Sequence, residues 1–323
     1  MAVPTNTVQR VSRVGVREDL HDKISILANE DFPFMSNIGS GKASNTYFEW
    51  QTDELAAADA TNKVVDGDDV AADAYPATTR LGNYVQTMDK VIQLSHITQQ
   101  VNHAGSHTSK GAARAKKYRE LKRDMEQRLC GNYAAVPPGA STAHETAGAV
   151  AFMRSNVSRG ATGANATLSG GTSGYVNAPA TNGTLRTFTE DLLKEVHRKC
   201  RENGGKPDLL ILSPALKQTF STFTGVAANR HQVPSSKPGT IIGAMDLYVG
   251  DFGTVAAVDS IYTTGRDGLL IDRDSWEIEY LQQFQNTPLA KTGHSDKEMV
   301  SVTFGLKCEN DKASGVIADI EPA

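Results

Sequence analysis

Apolar and polar positions sort the chain into helix-like and strand-like stretches. Thr108–Cys130 has the clearest helical period: Tyr118, Leu121, Met125 and Leu129 recur at spacings of three, four and four, which places them on one face of a 3.6-residue helix. Ala112, Ala113 and Ala115 add intrinsic helix preference, and Gly131 predicts the end of the helix. A second helix is predicted where Phe188, Leu192, Val196 and Cys200 recur every four residues, with Thr187-Phe188-Thr189-Glu190 as its capping box. Asn203-Gly204-Gly205 and Pro207 close it, and the run Asp208–Leu212 reads as a buried strand. Ser213-Pro214 then supplies an N-cap and a first-turn proline for a helix with Leu216, Phe220 and Phe223 inward.

Other stretches alternate with the period of two that a strand imposes. In Asn45–Thr52, Phe48 and Trp50 face one way and Tyr47, Glu49 and Gln51 the other. In Gly82–Ser95, Tyr84, Met88, Ile92 and Leu94 share a face. The last third is predicted to be mostly strand, over 241–249, 255–258, 268–272, 278–281 and 299–309. Ala161–Gly183 is rich in Gly, Ala, Ser and Thr and reads as a flexible loop on an exposed face. The first 40 residues hold few apolar clusters. Leu20, Ile24 and Leu27 suggest a short helix over Asp19–Asn29, which Asp31-Phe32-Pro33-Phe34 breaks. A segment this poor in apolar residues is either a frayed tail or an arm that packs on another subunit. The mixture of elements predicts an α+β fold.

Composition changes this picture little. A chain of 323 residues suggests about two domains, and 39% hydrophobic residues exclude a wholly disordered chain. Apolar runs fall short of the roughly 18 residues of a membrane-spanning helix, and the start lacks the basic and apolar regions of a secretory signal. These features predict a soluble, reduced protein. Its 33 basic and 37 acidic residues give a net charge of −4, without the overall basic bias of a dedicated nucleic-acid binder.

The chemistry of an enzyme is missing. Gly39-Ser40-Gly41-Lys42-Ala43 lacks the leading glycine and the hydroxyl of a phosphate loop. His103 and His107 have metal-pair spacing but no third ligand near them. Asp66-Gly67-Asp68-Asp69 lacks the late Glu of a calcium loop, and no nucleophile elbow is present. The three cysteines at 130, 200 and 308 are far apart and form no disulfide or zinc framework. The expectation is no catalytic residue, no metal and no cofactor.

A set of stretches carries a family resemblance. They are Gly82-Asn83-Tyr84-Val85-Gln86, Leu94-Ser95 with Thr98-Gln99, Glu120-Leu121-Lys122-Arg123-Asp124-Met125-Glu126, Asn156-Val157-Ser158-Arg159-Gly160, Gly204-Gly205-Lys206-Pro207-Asp208 and Phe220-Ser221-Thr222-Phe223-Thr224-Gly225. The last third adds Asp251-Phe252-Gly253, Pro288-Leu289-Ala290-Lys291-Thr292-Gly293 and Glu309-Asn310-Asp311-Lys312-Ala313. In this order the chain resembles the SU-ten-like family of tailed-phage major capsid proteins, which have the Hong Kong 97-type fold. The resemblance implies an N-arm over 1–40, an extended hairpin loop over 41–98, a peripheral domain over 99–139 and 282–323 that contains the long spine helix, and an axial domain over 140–281. It also implies a non-enzymatic head protein. Hexamers and pentamers of such a protein build the icosahedral shell around double-stranded DNA, in a virion assembled in the host cytoplasm. Portal, scaffolding and cement or decoration proteins are its implied partners, with no membrane and no sequence-specific DNA contact. The alternative is the shell of a cellular nanocompartment, encapsulin-like, caging an enzyme.

Charge placement then suggests where copies meet. Asp53–Ala74 holds seven acids against Lys63, a net of −6, whereas Thr108–Cys130 holds eight bases against three acids, a net of +5. About ten residues of strand reach about 30 Å, well beyond a Debye length of about 8 Å. Within one subunit the two charges would hardly sense each other. The expected inter-subunit contacts are therefore Asp66, Asp68, Asp69 and Asp73 with bases of another copy, first among them Arg114, Lys117 and Lys122, together with Arg10, Arg13 and Arg17 of the arm. The competing reading is a solvated loop that keeps free subunits soluble.

Overall fold

The computed structural model describes residues 31–67, 69, 77–101, 110–223 and 246–322. In chain order the elements are α1 (Pro33–Asn37), β1 (Gly39–Lys42), β2 (Tyr47–Thr52), β3 (Thr79–Tyr84), β4 (Gln86–Ser95), α2 (His96–Gln100), α3 (Lys110–Cys130) and α4 (Ala149–Phe152). Next come β5 (Val157–Ser158), β6 (Thr167–Leu168), β7 (Val176–Ala178), β8 (Arg186–Thr187), α5 (Glu190–Glu202), β9 (Leu209–Leu212) and α6 (Pro214–Phe220). Last are β10 (Leu247–Gly250), β11 (Gly253–Asp259), β12 (Gly268–Ile271), β13 (Trp276–Pro288), β14 (Ser295–Cys308), β15 (Gly315–Ile317) and β16 (Ile320–Glu321). The helix expected over 19–29 and the histidine pair at 103 and 107 lie outside the described residues.

Two sheets organise the subunit. One has the order β1-β13-β14-β4, with the long antiparallel pair β13–β14 at its centre and α3 packed against β4 and β14. The other has the order β10-β11-β9-β12-β15-β5. Its central strands β9 and β12 are fully buried along their length, and side chains alternate between the two faces, as the strand period requires. Leu209, Ile211, Leu269, Ile271 and Val316 join the main core with α3. Leu210, Leu212, Leu270 and Ile317 face α5 and α6.

The predicted stripe of the long helix is buried as expected: Leu121, Met125 and Leu129 are fully covered, and Tyr118 is partly so. Ser213 caps α6, its Oγ accepting the Leu216 N–H, with Pro214 in the first turn. On α5 the inward face keeps the expected Val196 and Cys200 but takes Leu193 in place of Leu192. Leu193, Val196, His197 and Cys200 are buried, Leu192 is only partly buried, and Phe188 packs from outside the helix. The cap residue there is Thr189, and its side chain makes no capping bond.

Three expectations need correction. Gly82–Ser95 is not one strand. It breaks at the fully buried Val85, whose N–H is held by the Thr46 carbonyl, so that β3 pairs with β2 while β4 pairs with β14. Residues 315–317, grouped with the spine helix in the sequence reading, hydrogen-bond into the six-stranded sheet between β12 and β5, because Val316 and Ile317 are apolar enough to be buried on both faces. Ala161–Gly183 is not a flexible loop. Ala166, Leu168, Val176 and Ala180 are buried in the main core, and the β6–β7 hairpin is tied to its surroundings by backbone bonds such as Ala135 N–H to Val176 O. Its small residues permit tight turns, including Gly174 at φ +89°.

Candidate assembly surface

The hairpin β2–β3 is fixed at its root. Asn83 is fully buried and all its bonding groups are used: its amide donates to Thr146 Oγ1 at 2.9 Å and to the Leu306 carbonyl at 2.7 Å, and its Oδ1 accepts the Ala147 N–H at 3.1 Å. A buried amide with every partner in place holds one geometry firmly. Beside it Tyr47, Tyr84 and Tyr175 form an aromatic cluster with ring centroids 4.7 to 6.3 Å apart. Burial, reinforced by the Glu49 carboxylate, pushes the Tyr47 phenol up to about 12. The Tyr47 ring lies so close over the backbone that Gly82 has no room for a Cβ. The Gly82 N–H bonds to the Gly174 carbonyl, and the Gly174 N–H to that of Arg80. The loop over 161–183 therefore braces the hairpin.

Beyond the root this support ends. From Asp53 onward the described residues of the excursion are exposed through Gly67, with Leu55 at 99%, Val64 at 71% and Val65 at 74%. Lys312 Nζ reaches Glu54 Oε2 at 2.5 Å and ties the start of the excursion back to the body. Of the acids expected to meet another copy, Asp66 and Asp69 are exposed, while Asp68 and Asp73 lie outside the described residues. So do Arg10, Arg13 and Arg17.

The bases expected opposite them are divided. Arg114 is engaged within the chain: its Nη2 lies 2.8 Å and its Nε 3.2 Å from Glu298 Oε2, which holds that carboxyl below its ordinary range. Lys117 pairs with Glu120 at 2.7 Å on the same helix. Lys122 is exposed, its Nζ 6.0 Å from the Phe284 ring centroid. Two residues before Glu298 on β14, Asp296 is shared by Lys110, Lys291 at 2.8 Å and His96 at 3.6 Å. Hydrogen bonds from the two lysines hold its carboxyl far below the usual range. Sequence reasoning missed these acceptors because Glu298 and Asp296 lie on β14, some 180 residues from the helix they neutralise.

Among the described residues no group of His, Cys, Asp and Glu has the arrangement of a metal site. Cys130, Cys200 and Cys308 are all buried free thiols. Burial pushes the thiols of Cys130 and Cys308 well above the ordinary value and that of Cys200 up to about 12, so each is held as a neutral core residue.

Comparison with known proteins joins this geometry to a family. The family model described as SU10 major capsid protein matches residues 3–321. The chain belongs to that family. A curated relative, the major capsid protein of Escherichia phage Phieco32, is 25% identical over 344 residues that cover 98% of this chain and 97% of the relative. Solved structures give the fold. The cyanophage A-1(L) capsid asymmetric unit superposes with a TM-score of 0.71 at 12% identity, covering 97% of this chain and 99% of the other. A chain of Gordonia phage Cozz superposes with a TM-score of 0.60 at 11% identity, covering 98% and 99%. The fold is the Hong Kong 97-type capsid fold, and the subunit is a phage shell protein. A nanocompartment shell is not favoured.

Proposed function

We propose that the chain self-assembles through hexamers and pentamers into the icosahedral head that encloses the double-stranded DNA of a tailed phage, and that its part is structural rather than catalytic. One observation supports this most: a hairpin with a fully satisfied root holds Leu55, Val64 and Val65 out in water. Apolar side chains exposed on a braced support contribute roughly 25 cal/mol per Å² only when another surface covers them. A second copy of the chain is that surface, through a contact between unlike faces that closes by symmetry.

In this reading the sheet carrying α3 is the peripheral domain and the six-stranded sheet with α5 and α6 is the axial domain, the latter taking in residues 315–321. The acidic tip steers register. Asp66, Asp68, Asp69 and Asp73 approach exposed bases of the neighbour. Lys122 comes before Arg114 and Lys117, whose charges already have partners. Assembly in the host cytoplasm and encounters with portal, scaffolding or decoration proteins belong to the same proposal. Negative-stain microscopy and light scattering of the purified chain, with and without a scaffold, test it: rings and closed shells are expected. A cooperatively folded monomer at every concentration under both conditions contradicts it.

A further inference from the structure

Glu126 lies on α3 between Met125 and Leu129 and is completely buried. Its Oε1 accepts the Phe34 N–H at 2.7 Å, its Oε2 accepts the Met35 N–H at 3.0 Å, and Cys130 Sγ lies 3.7 Å from Oε1. Among the described residues no basic side chain pairs with it. A buried carboxylate without a cation is costly unless donors meet it, and here the backbone of α1 supplies them. The turn that does so is itself braced. Phe34 is fully buried, edge-on to Trp276 with ring centroids 5.9 Å apart. Ser36 Oγ donates to the Phe32 carbonyl, and Asn37 Nδ2 donates to that of Pro33.

We propose that Glu126 is a positioning residue for assembly: its carboxylate grips the Phe34 and Met35 N–H groups and fixes the point on the spine helix from which the preceding segment of the chain departs. This inference rests on the shell reading, in which the segment before Asp31 reaches another copy. A segment that must find a neighbour loses less freedom on binding if it starts from one place in one direction.

Burial raises the Glu126 carboxyl above its ordinary range, against the lowering effect of the Met35 and Phe34 N–H groups and the Cys130 thiol. Cys130 faces it from α3, and the turn over Pro33–Asn37 carries no titratable side chain.

Amide exchange of residues 33–37 in the full chain tests this, with β14 as internal reference. In the wild type, the Phe34 and Met35 amides should be strongly protected. In Glu126→Gln, which keeps one acceptor and places an amide N–H against the second donor, exchange of at least one of the two amides should rise about tenfold, and the yield of closed shells should fall. Wild-type Phe34 and Met35 amides that exchange as fast as exposed ones overturn the proposal, even if the variant does not fold. Wild-type shell yield from a variant with loosened amides overturns the positioning role. If the wild type forms no shells, the shell reading fails, while the exchange data still decide the seat.

Discussion

Leu81 and Leu55 sit on the same hairpin and obey opposite rules. Leu81, at the root, is 7% exposed and belongs to the main core; Leu55, three residues past the end of β2, is 99% exposed. At the root every polar group of Asn83 is matched and three tyrosines close the gap beside it. Beyond the strands, Leu55, Val64 and Val65 are exposed in a stretch of sequence rich in acids. The difference separates two kinds of stability within one element: the root stabilises the subunit, and in the assembly we propose the tip stabilises the joint between copies.

The largest effect on the free subunit is expected at the root. Leu81→Ala should cost about 2–5 kcal/mol, as other buried leucines do, measured by denaturant unfolding of unassembled chain. A cost near zero would erase the contrast with the tip. Next, replacing Leu55, Val64 and Val65 together with Ser should leave subunit stability within about 0.5 kcal/mol, while the yield of shells counted by microscopy drops sharply. Loss of subunit stability in that variant would mean the tip folds onto its own chain. The smallest effect belongs to charge. Asp66, Asp68 and Asp69 changed together to Asn should slow assembly at low salt and matter less at high salt, since exposed pairs contribute about 0.2–1 kcal/mol each. Stopped-flow light scattering at two ionic strengths reads this. Equal slowing at both would remove steering as the cause, and aggregation with correct register would favour the solubility reading.

How far the sequence could be read follows the same division. The stripe Tyr118, Leu121, Met125, Leu129 was legible because a long helix repeats its signal over many turns. The hairpin strands were legible in their alternation, but the break at Val85 was not. Both halves keep a strand period, and only the change of partner from β2 to β14 distinguishes them. Ala161–Gly183 misled because its composition matches that of flexible linkers. What folds it is four small or apolar residues meeting a distant core, together with turns that need glycine. Glu126 entered the sequence reading only as one of the three acids in the net charge of the spine helix. Its place beside Met125 and one turn before Cys130 was the available signal, but its donors are some 90 residues upstream. For the same reason, the pairing of Arg114 with Glu298 could not be read from the helix alone.

The central claim is that the tip of the hairpin is bare in the free subunit and covered in the shell. A single cysteine at Val64 measures this directly, because the three native thiols are buried and held neutral. In Val64→Cys the new thiol should react with a small maleimide at the rate of a free peptide in dispersed subunits. In closed shells of the same protein it should be strongly protected. Equal labelling rates before and after assembly would contradict the account.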